Sequence, residues 1–290
     1  MDKLIQKAGT LMEALPYLQK YNGKVFAFKY GGHAMHDEKL RHSFLRDIIL
    51  LKQVGIHPVI VHGGGPQIEN VLKKMGIESK YHNGLRITDT ETMKVVKMVL
   101  VGEVNGELVS SINQLGGNAV GFAGSDGKMI LAEKLPLQDD EEGNATIDLG
   151  HVGKVSKVFP KMLNKLIYED LYIPVISPIG ISKDGMSLNI NADTAACKVA
   201  AALNADKLFF LTDVHGVHDK EGQVIAELKK EKIDDMIADG VIKGGMIPKI
   251  QSAKSAIDEG VGSVVVLDGQ IQHAALLEIF TDKGVGTLIK

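Results

Sequence analysis

Short apolar segments with the composition of buried strands alternate with helical patterns along almost the whole chain. In the first half, strands at Val25–Tyr30 and His57–His62 are separated by an amphipathic helical pattern over 38–54. The second half repeats this order, with buried strands predicted at 173–177, 207–214 and 263–267. Strands that alternate with helices of this length favour an α/β fold with a mainly parallel sheet and helices on both of its faces.

One helical pattern is unusually long. It begins after Asp89, a residue type that caps helices, and runs to Leu115. Gly102 and Gly106 lie inside it, and each costs about 1 kcal/mol relative to alanine in a helix interior. We therefore expect a kink or a close packing contact near these two glycines.

Composition excludes several classes of function. The 290 residues are 44% hydrophobic, which suits one large α/β domain or two closely joined lobes. The net charge of −3, without a long basic or acidic block, argues against nucleic acid as a partner. The single Cys197 excludes a disulfide within the chain and fits a reducing compartment. The charged first residues do not resemble a signal peptide, and no apolar stretch approaches the ~20 residues of a membrane span, so we expect a cytoplasmic protein without a membrane partner.

Both strands of the first half end in a glycine-rich turn. Lys29-Tyr30-Gly31-Gly32 follows the first strand, and His62-Gly63-Gly64-Gly65-Pro66 follows the second. Glycine allows main-chain N–H groups to approach an anion, and open α/β sheets bind their ligands at the carboxyl ends of the strands. Lys29 adds a positive charge to an otherwise apolar strand. The two turns therefore predict a site for phosphate chemistry.

Two polar patches in the second half extend this prediction. Asn189, Asn191 and Asp193 alternate before a predicted helix, and either Asn191 or Asp193 is expected to cap that helix. Farther on, a helix opens with two glycines and carries Lys249 on its first turns. Because the helix dipole disfavours a cation at this end, Lys249 is either a solvated surface residue or a ligand for an anion.

Other common signatures are missing from the sequence. Neither glycine turn has the spacing of a Walker A motif, and neither has the glycine pattern and downstream acid of a dinucleotide site. The ten histidines show no metal-binding spacing, and His62 is interpreted as a strand-end residue rather than a ligand. A serine-hydrolase elbow is also missing.

Six patches resemble, in the same order, the signature segments of the amino acid kinase family, and within it the branch that phosphorylates N-acetyl-L-glutamate. They are KYGGHAM at 29–35, HGGGP at 62–66, GLRITD at 84–89, NINAD at 189–193, LTDV at 211–214 and GGMIPK at 244–249. The resemblance covers nearly the whole chain and implies a three-layer αβα sandwich with a mainly parallel central sheet. It also implies an N-terminal lobe at 23–178 for the acyl substrate and dimer contacts, and a C-terminal lobe at 179–290 for ATP.

The resemblance implies roles for individual residues. Lys29 and Lys249 would stabilise the charge on the transferring phosphoryl group, and Asp193 would hold both lysines in position. The implied nucleotide-binding residues are Gly31, Gly32, Gly63 and Asp213. The implied substrate-binding residues are Gly64, Gly65, Arg86 and Asn189, with Arg86 pairing bidentately with a carboxylate.

The implied reaction agrees with this set of residues. A carboxylate acceptor has a pKa of about 4.3, so it is ionised at neutral pH and needs no general base. What remains is to bring two anions together in line and to neutralise the developing charge. Mg²⁺ would be held mainly by the oxygens of ATP and by water, so we expect no separate metal site on the protein.

The first 22 residues form a separate segment. They carry an apolar stripe at helical spacing, interrupted by Pro16, which predicts a kinked helix. The pattern alone allows a helix packed on its own domain or an arm that buries its stripe against another subunit. The segment 273–287 resembles the signature of arginine-inhibited members of the family, in which such an arm joins dimers into a hexamer. The resemblance therefore favours the arm and a hexamer built as a trimer of dimers.

The same resemblance implies that arginine inhibits the enzyme. Tyr17, His273, Glu278 and the backbone around Gly286 would bind it, and a regulatory signalling protein is a possible further partner. Two alternatives stay open: a catalytically silent arginine sensor on the same fold, and a kinase for a related carboxylate or for carbamate.

Overall fold

The computed structural model describes residues 1–35, 37–140 and 143–290 of the chain. In these residues the α-helices are α1 (Asp2–Tyr21), α2 (Glu38–Gln53), α3 (Gly65–Lys74), α4 (Thr90–Lys97), α5 (Asn105–Gln114), α6 (Lys161–Asn164), α7 (Ala192–Ala202), α8 (Ile233–Ala238), α9 (Met246–Asp258) and α10 (Ala274–Phe280). Segments of π-helix follow α4 at Met98–Val104 and α6 at Lys165–Glu169. Short 3₁₀ turns lie at Gly32–Met35, Asp126–Lys128 and Lys230–Lys232.

The strands alternate with these helices. They are β1 (Val25–Tyr30), β2 (His57–His62), β3 (Tyr81–His82), β4 (Leu85–Arg86), β5 (Ala119–Ala123), β6 (Ile130–Lys134), β7 (Gln138–Asp139), β8 (Ala145–Ile147), β9 (Val152–Val158), β10 (Ile173–Ser177), β11 (Ile179–Ile181), β12 (Ser187–Ile190), β13 (Lys207–Thr212), β14 (Glu227–Leu228), β15 (Val264–Asp268) and β16 (Thr287–Ile289).

The central sheet has the strand order β14-β16-β15-β13-β1-β2-β10-β5. Neighbouring strands from β15 through β5 run parallel, whereas β16 runs antiparallel to β15. One hydrophobic core covers one face of the sheet with α7, α8 and α9, and a second core covers the other face with α2, α3, α4, α5 and α10. This arrangement confirms the predicted three-layer α/β fold with a mainly parallel sheet.

Strand β1 supplies both cores because successive side chains point to opposite faces. Phe26 and Phe28 enter the core on the α2 side, and Val25 and Ala27 enter the core on the α7 side. Lys29 has the same parity as Val25 and Ala27. The strand therefore directs the lysine toward the face that α7 covers.

A smaller set of strands closes on itself beside the central sheet. Strand β6 pairs with β9, β9 with β12, β12 with β11, and β11 with β6. The segment 179–190, which carries β11 and β12, therefore packs with strands from 130–158 rather than with the strands that follow it. This places the end of β12 next to the carboxyl edge of the central sheet.

The long helical pattern after Asp89 forms one continuous helical rod, made of α4, the π segment and α5. The irregularity predicted near the glycines takes the form of the π segment Met98–Val104, which contains Gly102. A Cβ added at Gly102 or at Gly106 would meet no atom within 4 Å. Close packing inside this chain is therefore not the reason for glycine at these positions.

Helix α1 leaves much of its apolar stripe uncovered. It continues through Pro16 as one element, so the proline does not divide it. Leu4, Ile5, Leu11 and Met12 are between 63% and 74% exposed. The end of the helix packs on the body of the protein, where the ring of Tyr17 meets that of Phe280 with the centroids 6.5 Å apart. In the described residues, no helix is both long enough and apolar enough to span a membrane.

Candidate active site

A cavity of about 260 Å³ lies at the carboxyl edge of β1 and β2. Both glycine turns border it, together with the β3–β4 hairpin and the end of β12. Of the residues selected from the sequence, Lys29, Gly31, Gly32, Gly63, Gly64, Gly65, Arg86 and Asn189 line this cavity. Two turns, one hairpin and a residue from the second half of the chain are thus brought around one space.

Lys29 reaches Asp193 across the face of the sheet. The lysine lies in the middle of the sheet, between Val61 of β2 and Phe210 of β13 in the strand register. Asp193 lies on the first turn of α7, which covers this face. The lysine Nζ is 2.9 Å from Asp193 Oδ1, and both side chains are less than one fifth exposed.

Lys249 reaches the same carboxylate from the other side. It lies on the first turn of α9, as the glycine-rich helix start predicted. Its Nζ donates to Asp193 Oδ2 at 2.7 Å and lies 5.2 Å from the ring centroid of Phe210. The lysine is therefore a partly buried ligand of an anion and not a solvated surface residue.

Two cations share one anion in this cluster. Burial by itself would raise the pKa of Asp193, but the positive charges of Lys29 and Lys249 outweigh that effect and hold the pKa below its ordinary value of 3.8. Asp193 is therefore ionised at neutral pH with both oxygens engaged. The group carries a formal charge of about +1, which suits an anionic ligand rather than proton abstraction.

The alternating polar residues before α7 separate into different tasks. Asn191 is the N-cap of α7, and its side chain accepts hydrogen bonds from the N–H of Asp193 at 2.9 Å and of Thr194 at 3.1 Å. Asn189 faces the cavity and donates to the hydroxyl of Thr88 at 3.2 Å. The helix cap expected at Asn191 or Asp193 is therefore Asn191. The carboxylate of Asp193 forms ion pairs with Lys29 and Lys249 instead.

The two glycine turns are joined to each other by a main-chain bond. The N–H of Gly63 donates to the carbonyl of Tyr30 at 2.8 Å. The family resemblance implies that Gly63 binds the nucleotide by directing this N–H at a phosphate, and that expectation is wrong for the N–H, because it is already bonded to Tyr30. Gly63 lines the cavity but serves to hold one turn against the other.

Asp213 lies behind the first turn and does not line the cavity itself. A Cβ on Gly32 would come within 3.0 Å of Asp213 Oδ1, and Gly32 has a positive φ of 73°. Both the close approach of the carboxylate and the left-handed backbone therefore require glycine at this position. Asp213 therefore lies next to the turn that the family resemblance implies for the nucleotide.

Arg86 is buried and already has partners. Its guanidinium donates to Glu69 Oε2 at 2.7 Å and to the carbonyl of Gly65 at 3.2 Å, and it also contacts the hydroxyl of Ser79. It lies over the ring of Tyr81, 4.7 Å from the centroid. Glu69 was not predicted as a site residue, because a glutamate on α3 has no local sequence signature that links it to a distant arginine.

A second cavity, of about 320 Å³, lies between the end of α1 and the region of α10. Tyr17, Glu278 and Gly286 line it. Lys207 lines it as well, although its sequence neighbourhood carries no signal of a binding site. Glu278 Oε2 accepts hydrogen bonds from the N–H of Val285 at 2.8 Å and of Gly286 at 3.2 Å. Three of the four residues expected to bind arginine therefore lie together.

His273 is the exception. It lines a different cavity between α2 and α10. There its ring Nδ1 is 2.6 Å from Asp47 Oδ1, and its backbone N–H donates to the hydroxyl of Ser43 at 2.9 Å. These bonds hold the residue at a positive φ of 58° just before α10. The expectation that His273 shares a site with Tyr17 and Glu278 is therefore wrong.

In residues 1–35, 37–140 and 143–290, no group of three or more histidine, cysteine, aspartate or glutamate side chains has the arrangement of a metal site. Asp193 is occupied by two lysines, so its oxygens do not form a cage for a cation. Magnesium usually keeps several waters and binds through substrate phosphates with few protein ligands. The residues of the cavity therefore fit a metal ion that arrives with a phosphorylated substrate.

Comparison with known proteins agrees with this geometry. A model of the amino acid kinase family matches residues 24–268. The acetylglutamate kinase of Pelobacter propionicus is 52% identical over 293 aligned residues and covers 100% of both chains. That of Geobacter sulfurreducens is 51% identical over 292 residues, covering 100% of this chain and 99% of the relative.

The fold is also found among solved structures. The N-acetylglutamate synthase from Neisseria gonorrhoeae, solved with coenzyme A and N-acetyl-glutamate, superimposes with a TM-score of 0.85 at 24% identity. The match covers 97% of this chain and 63% of that chain, so it shows a shared fold with part of a longer protein. The chain belongs to the amino acid kinase family. Within that family, its full-length relatives at about half identity are acetylglutamate kinases, and it is a member of that branch.

We expect Asp193→Asn to lower the free energy of unfolding at neutral pH by about 3 kcal/mol, because two partly buried cations would then lack a counter-charge. The pKa of Asp193 is depressed, so its stabilising effect is present above the ordinary value of 3.8 and is lost as the pH falls through the folded-state pKa. The difference from the wild type should therefore be constant from about pH 8 to about pH 5 and shrink below about pH 4. Urea unfolding over this range measures it.

Asp206→Asn is the matched control, because Asp206 pairs with Lys24 in a more exposed position. Surface pairs of this kind contribute about 0–1 kcal/mol, so this variant should stay close to the wild type. An equal decrease in the free energy of unfolding in the two variants would contradict the prediction that Asp193 stabilises the fold more than a surface ion pair does.

Proposed function

We propose that the chain transfers the γ-phosphoryl group of ATP to the side-chain carboxylate of N-acetyl-L-glutamate, yielding N-acetyl-L-glutamyl 5-phosphate in an early step of arginine biosynthesis. The observation that carries this proposal is the ion cluster of Lys29, Asp193 and Lys249 beside a glycine-lined cavity, in a chain about half identical to acetylglutamate kinases. We place the reaction in the cytoplasm, which supplies ATP and suits the free thiol of Cys197.

The chemistry needs charge and position rather than a base. The acceptor carboxylate is already ionised at neutral pH, since its pKa is about 4.3. Asp193, the carboxylate in the ion cluster, has both oxygens held by lysines and so has no role in taking a proton. We assign Lys29 and Lys249 to stabilise the oxygens of the phosphoryl group in transfer, because their charges flank it from two different elements.

The two substrates are assigned to the two ends of the site. Gly31, Gly32 and Asp213 form the nucleotide side, and Mg²⁺ bound with ATP would neutralise part of the phosphate charge. Gly64, Gly65, Arg86 and Asn189 form the N-acetyl-L-glutamate side, where the guanidinium of Arg86 pairs with a substrate carboxylate. Glu69 and the carbonyl of Gly65 hold that guanidinium at the cavity wall before the substrate arrives.

We expect Lys29→Ala and Lys249→Ala each to lower kcat about 10²–10³-fold, because each removes a charge aimed at the transferring group. The KM values for ATP and N-acetyl-L-glutamate should change by less than about threefold. A coupled assay with both substrates and Mg²⁺ measures these constants. The control is Lys24→Ala, which should keep wild-type kinetics, because Lys24 lies just before β1, is half exposed and does not line the cavity.

The same assay separates the alternatives. Near-normal kcat in both lysine variants would contradict the proposed mechanism. A wild-type chain that binds arginine without any turnover would instead support the silent arginine sensor. Faster turnover of glutamate, aspartate or carbamate than of N-acetyl-L-glutamate would support a related kinase.

We further propose that arginine inhibits the enzyme from the cavity between α1 and α10. Glu278 offers a carboxylate to a guanidinium, and Lys207 offers a cation to the carboxylate of a free amino acid. Tyr17 comes from α1, so a ligand here would contact both the N-terminal helix and the body of the protein. A signalling protein that binds the oligomer would act on the same regulation.

We expect Glu278→Gln to raise the arginine concentration for half-inhibition at least about tenfold, because a neutral amide loses the charge attraction to the guanidinium. His273→Asn is the matched control, because His273 lies at the start of α10 but in another cavity, and asparagine tolerates its left-handed backbone. Loss of inhibition in the His273 variant alone would contradict the assignment.

We also propose that the exposed stripe of α1 joins dimers into a hexamer. The stripe exposes large apolar side chains side by side, as surfaces that bind another chain do. We expect Leu11→Glu to reduce the particle mass measured by light scattering from that of a hexamer to that of a dimer. Glu13→Gln, an exposed change on the same helix, should leave the mass unchanged, and an unchanged mass in both variants would contradict the arm.

A further inference from the structure

The fully buried His62 lies at the end of β2, directly before the second glycine turn. Its Nδ1 is 2.8 Å from the carbonyl oxygen of Gly63. Its Nε2 is 3.1 Å from the side-chain nitrogen of Asn105 and 3.1 Å from the hydroxyl of Ser177. Both ring nitrogens are therefore engaged, although the histidine does not line the cavity.

These contacts fix the proton on the ring. A carbonyl oxygen only accepts, so Nδ1 carries the proton and donates it to Gly63. Nε2 is then an acceptor, and the amide nitrogen of Asn105 donates to it. Burial lowers the pKa of His62 to about 4, so the ring is neutral at physiological pH.

The two partners of Nε2 are themselves held in place. The amide nitrogen of Asn105 also donates to the carbonyl of Val175 at 3.0 Å. The hydroxyl of Ser177 lies 3.0 Å from the carbonyl of Leu100, and because it has one hydrogen it can donate either to that carbonyl or to Nε2, so Asn105 is the fixed donor to the ring. A Cβ at Gly121 would collide with the amide oxygen of Asn105, so this glycine leaves the space that the amide needs. The imidazole of His62 is thus surrounded by residues of five elements, which are β2, β5, β10, the π segment and α5.

The bond to Gly63 sets the direction of the next N–H group. The peptide unit between Gly63 and Gly64 is planar and trans, so its N–H points opposite to its carbonyl. The carbonyl points to the buried ring, and therefore the N–H of Gly64 points away from it, toward the cavity that Gly64 lines. The preceding peptide unit is also held, because the N–H of Gly63 is bonded to Tyr30, so the turn is fixed on both sides of Gly63.

We propose that His62, held by Asn105, is a positioning residue that orients the Gly64 N–H toward the group transferred between the two substrates. This inference rests on the proposed phosphoryl transfer. His62 touches neither substrate, and it acts through the backbone of the glycine turn. Its contribution is to remove the need for this peptide to reorient when charge develops in the transition state.

The experiment compares His62→Asn with His62→Leu. The amide nitrogen of asparagine takes the place of Nδ1 and can still donate to Gly63, whereas leucine has no donor, and both variants lose the contact at Nε2. Ile56→Val, a buried change at the residue just before the same strand, controls for loss of packing. We expect kcat to fall at least about thirtyfold in the leucine variant and less than about fivefold in the asparagine variant, with each KM within about threefold.

Thermal melting of each variant separates positioning from stability. Equal kcat in folded asparagine and leucine variants would overturn the positioning role while leaving the proposed function intact. If neither histidine variant folds, Asn105→Ala decides, because it removes the donor to Nε2: a fall in kcat of about fivefold with unchanged KM values supports the proposal, and a wild-type kcat overturns it. A wild-type chain and Ile56→Val that both fail to phosphorylate N-acetyl-L-glutamate would overturn the proposed function and this inference together.

Discussion

The rest of the site depends on one carboxylate shared by two lysines. Lys29 comes from the centre of the sheet, Lys249 from the first turn of α9 and Asp193 from the first turn of α7. Each of these three elements carries only one residue of the cluster. Without the carboxylate, the two partly buried ammonium groups would repel each other. The cluster therefore exists only when α7 and α9 are packed on the same face of the sheet, so the fold and the charge of the site are formed by the same contacts.

Much of this could be predicted from local sequence. Successive side chains of β1 point to opposite faces of the sheet and enter two different cores. Lys29 therefore lies on the same face as Val25 and Ala27, which is the face covered by the helix that carries Asp193. Glycine turns at two strand ends indicate an anion site, because parallel strands deliver their carboxyl ends to one edge. The helix capped by Asn191 was also predictable, although the choice between Asn191 and Asp193 needed the geometry of the lysines.

Other features could not be predicted, because they depend on pairs that are distant along the chain. Arg86 is held by Glu69 only because α3 and the β3–β4 hairpin meet at the cavity. The N–H of Gly63 is bonded to Tyr30, which no rule about glycine turns anticipates. The prediction for His273 was wrong for a similar reason. Its place in a signature segment suggested that it shares the site of Tyr17 and Glu278, but its left-handed backbone and its bond to Asp47 place its ring against α2.

The charged and neutral polar groups of the site lie at different depths, and this separation has a physical reason. The lysines and Asp193 keep some exposure, so substrates and water can balance their net charge. His62 lies deeper, and protonating its Nε2 would place a donor against the amide donor of Asn105 in a region that water does not reach. A neutral ring avoids that conflict and still donates to Gly63. The deep layer therefore fixes direction through hydrogen bonds, and the shallow layer supplies charge, so neither task disturbs the other.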